Sequence, residues 1–203
     1  MGGGLEAFNY PTSLHVRKHG PSGYSRYESY RDWLRDEFSF RCVFCCRREQ
    51  WDLMAGSWDI DHFIPQGIRP DRKLEYENLL YVCHACNLVK SKKLVPNPCE
   101  VAFGLNVEVH DDGSIDALND DGQTLIDELK LNNDDHRKYR RLIIGTIRSL
   151  AIHDRQIYTM WMRYPENLPD LSGLRPPGGN SKPDGIDDSI HARRIRGDLP
   201  ETY

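Results

Sequence analysis

Two cysteine pairs, Cys42-Val-Phe-Cys45 and Cys83-His-Ala-Cys86, are the residues of this 203-residue chain whose type and spacing most directly imply chemistry. Thiolates two residues apart on a tight turn can converge on one cation. Two such turns supply the four sulfurs of a tetrahedral Zn²⁺ site, at about 2.3 Å each. Four protein ligands leave no open position, so the expected zinc is structural. Cys46 is the alternative to Cys45 as ligand, with the two-residue spacing favouring Cys45. Cys99 is read as a buried or free thiol. Paired cysteines in a chain without a secretory signal point to metal rather than to disulfides.

Thirty-seven residues separate Cys45 from Cys83, and a second constellation lies there: Trp58-Asp59-Ile60-Asp61-His62-Phe63-Ile64-Pro65-Gln66-Gly67, then Asn78. Asn87 follows directly on the second cysteine pair, and Lys90 comes three residues later. A neutral imidazole, titrating near about pH 6.5, can take a proton from water. Carboxylate and amide oxygens suit a hard cation, Mg²⁺ or Mn²⁺, better than zinc. Singly these residues are ordinary: an Asp-His pair is usually a surface hydrogen bond, Asn78 a loop cap and Asn87 a helix N-cap. Their occurrence in one window framed by two knuckles is not ordinary. Asp59 is expected to support the site or the fold. Arg41, Arg47, Arg48, Lys90, Lys92 and Lys93 supply nearby positive charge. Arg47, Lys90, Lys92 and Lys93 are the candidate DNA-phosphate contacts, a solvated helix face being the rival reading.

The order C-x-x-C, D-H-x-x-P, N-L, C-x-x-C-N-x-x-K resembles the HNH (ββα-metal, His-Me finger) endonucleases, in particular stand-alone bacterial members with a four-cysteine zinc site. The resemblance covers roughly residues 40–93. It implies two antiparallel strands and a helix around one divalent metal, with DNA as substrate. By resemblance His62 is the general base, Asp61 and Asn87 hold the Mg²⁺ or Mn²⁺, and Asn78 ties the loop in place. Similar stand-alone proteins occur in phage defence, so a defence or restriction setting and a protein partner such as a defence-system ATPase are further expectations. The competing reading is a non-catalytic zinc-ribbon module that binds DNA or protein.

The elements that must position these groups follow from the pattern. Apolar residues at helical spacing, Tyr27, Tyr30, Trp33, Leu34 and Phe38, predict an amphipathic helix over 24–39. A strand is expected from Trp58 to Ile64, ended by Pro65 and Gly67, a second from Tyr81 to Cys83, and a helix from Cys86 to Lys93. Asp112-Gly113 between alternating runs in 105–118 predicts a hairpin. A short helix is expected over Gln123 to Leu131, and a long one from about His136 to Met162, with Asp154 interrupting its apolar stripe. The fold class expected is α+β: a small ββα-metal core with zinc knuckles, an N-terminal helix, and a C-terminal hairpin plus long helix. Residues 1–23 are expected as a flexible lead, 24–95 as the nuclease unit, 96–165 as an extension packing on or beside it, and 166–203 as a disordered tail.

Net charge is −4, which does not advertise nucleic-acid binding. The acidity is uneven, however: residues 1–100 carry 14 Lys and Arg against 13 Asp and Glu, the remainder 13 against 18. A nucleic-acid site needs a local basic surface rather than a basic whole. No apolar run approaches the roughly 18 residues a bilayer span requires. The first residues lack the apolar core of a secretory signal, and Glu6 stands where a myristoylation pattern wants Ser or Thr. The cytoplasm is the expected compartment, without membrane association.

Overall fold

A computed structural model describes residues 6–52 and 58–203. Residues 1–5 of the lead therefore lie outside the described residues. The chain forms a mixed α+β fold with two small antiparallel sheets and flanking helices.

The central sheet pairs β1 (Trp58–His62) with β2 (Leu79–Cys83), in the register Trp58↔Cys83 to His62↔Leu79. Every residue of β2 is buried, so this strand reads as a continuous apolar run rather than an alternating one. α2 (His84–Lys90) starts directly at the end of β2 and packs on both strands. α1 (Arg31–Glu37) covers β2 with the fully buried Trp33 and Leu34. It is shorter than the 24–39 expected, because 27–30 is wound as a 3₁₀ turn and the helix closes where Ser39 and Phe40 take positive φ. Those two residues turn the chain into the first cysteine knuckle.

The second sheet is the expected hairpin, β3 (Val107–Val109) with β4 (Ile115–Ala117). Gly113 takes φ +83°, where a side chain would also collide with the backbone of Arg137. α3 (Asp120–Glu128) follows, capped by the Asn119 side chain on Gly122 N. The long helix of the sequence reading is two helices, α4 (Asp134–His153) and α5 (Arg155–Met162). Asp154 both ends the first and caps the second, its carboxylate accepting from Ile157 N at 3.0 Å. An N-cap carboxylate satisfies an amide that the break at Asp154 would otherwise leave without a partner. The stripe facing the core includes Ile143 and Ile147, both buried, while Ile157 is left exposed.

One apolar cluster runs from Trp33 and Leu79 through Phe103 and Leu125 to Ile143, Met162 and Leu171. Segment 24–95 thus shares its core with the extension. Residues 6–23 of the lead, and the tail, are also folded, contrary to the sequence expectation. In the lead, Phe8, Tyr10 and His19 are buried, and Gly20 and Ser22 exchange backbone hydrogen bonds with Ser181 and Gly179 of the tail. Pro and Gly richness, read as disorder, here permits close backbone approach: a Cβ on Gly23 would stand 2.3 Å from Gly178 N. Further along the tail, α6 (Asp184–Asp187) and α7 (Ile190–Arg196) follow, and Ile190 N donates to the buried Asp36 carboxylate at 2.6 Å. Among the described residues no helix is long and apolar enough to cross a membrane.

Candidate metal centre and histidine cavity

Cys42, Cys45, Cys83 and Cys86 are all buried, and their sulfurs lie within 4.8 Å of one another. The first knuckle is shaped by Cys42 N donating to Arg47 O and Cys46 N to Cys42 O, and Val43 N fastens it to Tyr81 O of β2. The second knuckle straddles the β2–α2 junction. Four sulfurs about 2.3 Å from a zinc ion sit about 3.8 Å apart. The Cys45–Cys83 separation, 3.7 Å, already has this value. The neighbouring thiols hold the Cys83 thiol well below its usual range, while burial and the same neighbours push Cys42 and Cys86 well above it, so the quartet concentrates its negative charge on one sulfur. Cys46 lies outside the quartet. Its φ of +57° turns it away, its sulfur faces Asn9 O at 3.9 Å, and burial pushes its thiol up to about 12.

The second constellation meets on a cavity of about 410 Å³, lined among others by Tyr27, Asp61, His62, Gln66, Asn87 and Lys92. His62 is the last residue of β1. Its Nε2 lies 3.0 Å from Lys73 O, an acceptor only, so that nitrogen carries the proton. The Gln66 amide then donates to Nδ1 at 3.1 Å. The edge of Tyr27 packs on the ring at 4.9 Å. Burial, with the Lys73 and Lys90 charges, lowers the His62 pKa against the raising effect of the Lys73 carbonyl. The lowered pKa favours the neutral imidazole, with the Nδ1 lone pair toward Gln66.

Asp61 is buried, and burial raises its carboxyl to about 6 despite Lys90. Lys90 Nζ lies 2.8 Å from Asp61 Oδ2 and donates to His62 O at 2.9 Å. Lys90 is itself fully buried, which corrects its expected role as a surface phosphate contact. Asn78 accepts from Ile64 N and donates to Ile64 O and Arg72 O, so it closes both ends of the loop 63–78. Asn87 donates through Nδ2 to Asp59 Oδ2 at 2.9 Å, which leaves its Oδ1 as the oxygen available to a cation. His84 shares that Asp59 oxygen at 2.8 Å.

The other basic candidates divide. Lys92 is exposed on the cavity rim. Arg47 instead stacks on Tyr139 at 4.0 Å and pairs with Asp52, and Lys93 donates to Glu128 O at the end of α3. Both are occupied by packing between elements distant in sequence, which no local pattern could announce. Gln66 and the Lys73 carbonyl were not legible as site groups either. The only sequence signal was the position of Gln66 in the loop directly after Asp61-His62.

Among the described residues, the four cysteines form the one cluster of three or more Cys, His, Asp or Glu ligands. No family model matches the chain. Over 112 residues it is 28% identical to the Septu protein PtuB of Bacillus thuringiensis, a match covering 52% of this chain and 42% of that protein. The chain thus spans less than half the length of that relative.

Proposed function

We propose that this chain is a metal-dependent HNH-type endonuclease that hydrolyses phosphodiester bonds in DNA, with His62 as general base. The observation that carries this reading is the meeting of Asp61, His62 and Asn87 on one open cavity, on a strand pair followed directly by a helix. That order of elements agrees with the family resemblance of residues 40–93.

The geometry supports these roles. With Nε2–H donating to the Lys73 carbonyl, Nδ1 is the basic atom of His62. It takes the proton of a water attacking phosphorus once the Gln66 amide has moved aside. Asn78 holds the loop that carries Gln66 and the Lys73 carbonyl against β1. Lys90 fixes the end of β1 by its bond to the His62 carbonyl and keeps Asp61 oriented. The exposure of Lys92 on the rim supports a contact with a phosphate oxygen. Asp61 and the Asn87 amide oxygen are the groups to hold Mg²⁺ or Mn²⁺. When bound, such an ion supplies charge neutralisation at the phosphate and the leaving 3′ oxygen. One carboxylate with waters and substrate oxygens is a normal magnesium environment, so a dense ligand cluster is not required. The zinc quartet contributes by position: Cys86 directly precedes Asn87, so the four thiolates fix the start of α2 against β2.

A second reading is a non-catalytic zinc-ribbon module that binds DNA or protein. It is favoured by the Asp61–Lys90 ion pair, which already occupies one carboxylate oxygen, and by the cysteine quartet being the sole dense ligand cluster among the described residues. Incubation of zinc-loaded protein with duplex, single-stranded, nicked and branched DNA, with Mg²⁺, Mn²⁺ or chelator, separates the two. Metal-dependent cleavage that His62→Ala reduces by roughly 10²–10⁴-fold, with fold and DNA binding retained, supports the nuclease. Binding without cleavage on every substrate, alone and with its co-purifying partner, supports the module.

The similarity to PtuB, together with the family resemblance, supports a phage-defence setting and a protein partner such as a defence-system ATPase. Co-purification from the native cell tests that partner.

A further inference from the structure

Arg41 and Arg48 face each other across an isolated antiparallel bridge in the first knuckle. Residues directly opposite in such a pair project to the same side, and like charges there are destabilising. The Tyr203 ring lies against both guanidinium groups, at 4.6 Å from Arg41 and 4.4 Å from Arg48. Arg48 is fully buried and donates to Met162 O. Burial first, and then the Arg41 charge, pull its pKa down to about 9. Arg41 differs. Among the described residues its side chain makes no hydrogen bond or ion pair, and its Nε is buried without a partner. Arg41 is itself half-buried, and a guanidinium whose Nε is buried without a partner beside a second cation is destabilised unless something neutralises it.

Arg41 borders a cavity of about 280 Å³, behind the zinc quartet and away from His62. Its apolar walls include Phe38, Val101, Phe103 and Tyr164, and Ser13 and Ser39 add hydroxyl groups. Glu37 also reaches this cavity, but its carboxylate is taken up by His15, the Lys18 and His19 amides and the Tyr76 hydroxyl. The cavity therefore offers a cation whose Nε lacks a partner and a largely apolar body.

We propose that this cavity is a binding site for a small organic anion, its phosphate or carboxylate group paired with Arg41 and its apolar body against Phe38 and Phe103. An oxyanion would give Arg41 the partner it lacks and offset its repulsion from Arg48. The site is independent of the nuclease reading.

Isothermal titration of the zinc-loaded 203-residue chain tests it with four probes: phenyl phosphate, benzoate, inorganic phosphate and benzyl alcohol. At least one of the two aromatic anions is expected to bind about tenfold or more tightly than inorganic phosphate and benzyl alcohol, and Arg41→Gln to lose about tenfold or more of that affinity. The tighter of the two anions identifies the head group. Arg41→Gln without ligand should melt no lower than the parent, since it removes a repulsion. A Val101→Trp variant, which fills the cavity, should also lose binding. The proposal is overturned if neither aromatic anion binds, if inorganic phosphate binds as tightly as they do, or if Arg41→Gln binds them unchanged.

Discussion

Lys90 Nζ reaches 2.8 Å from Asp61 Oδ2 and 2.9 Å from the His62 carbonyl oxygen, so one fully buried ammonium joins the helix after the sheet to the last two residues of β1. Its removal leaves a buried carboxylate without its counter-charge, which typically costs about 3–5 kcal/mol. Lys90→Met is therefore expected to lower the urea midpoint strongly, and Asp61→Asn in the same chain to restore part of the loss. A double-variant loss equal to the sum of the two single losses would show that the pair is not coupled.

His62 should be a neutral Nε2–H tautomer in the resting protein, because Nε2 faces a carbonyl and Nδ1 faces the Gln66 amide. Long-range ¹⁵N–¹H NMR reads the tautomer directly. Gln66→Ala should leave the Nε2 proton in place and change the Nδ1 shift. A protonated Nδ1 at pH 7 would contradict the geometry on which the general-base role rests.

Asn78 makes three hydrogen bonds across the loop 63–78, and its side chain is buried. Asn78→Ala should cost about 2–3 kcal/mol, from unsatisfied backbone groups at Ile64 and Arg72. Hydrogen exchange should show lost protection at the Ile64 amide while β2 stays protected. An unchanged Ile64 amide would mean that the loop is held by other contacts.

The zinc quartet gives a compositional test. Elemental analysis should find one zinc per chain, lost in Cys83→Ser but retained in Cys46→Ser and Cys99→Ser. Structural zinc supplies on the order of 10 kcal/mol in small metal-dependent folds, so Cys83→Ser or strong chelation should also reduce cooperative unfolding.

Acid stability should carry the signature of Glu37. Burial alone would raise its pKa, but the His15 hydrogen bond, the Lys18 amide and the nearby Arg17 bring it down to about 2. A carboxyl depressed in the folded state stabilises above its unfolded pKa, and that stabilisation is lost as pH falls through the folded value. A fall from 4.5 to about 2 contributes about 3 kcal/mol at neutral pH, lost as the pH drops from about 4.5 to 2. Glu37→Gln should be destabilised at pH 7 and converge with the parent near pH 2. A constant gap across that window would assign the effect to packing instead.

Short-range patterns carried much of this protein. The C-x-x-C spacings name the four thiols that converge, because two residues is the reach of one knuckle turn. Asp112-Gly113 marks the hairpin, because a positive φ favours glycine there. Asp61, His62 and Asn87 were legible as one group through the order of their motifs. Tertiary structure alone decided which neighbours occupy these side chains. Lys90 and Arg47 look alike in sequence, yet one is buried against Asp61 and the other stacks on Tyr139 from α4. The lead and tail read as flexible from their Gly and Pro content, but residues 20–22 and 178–181 order each other through backbone hydrogen bonds between positions about 160 apart, and Ile190 is held by Asp36. Local sequence fixes turns, caps and ligand spacing because these depend on adjacent dihedrals. Burial and charge pairing depend on contacts between distant segments, so they emerge only once the chain has closed on itself.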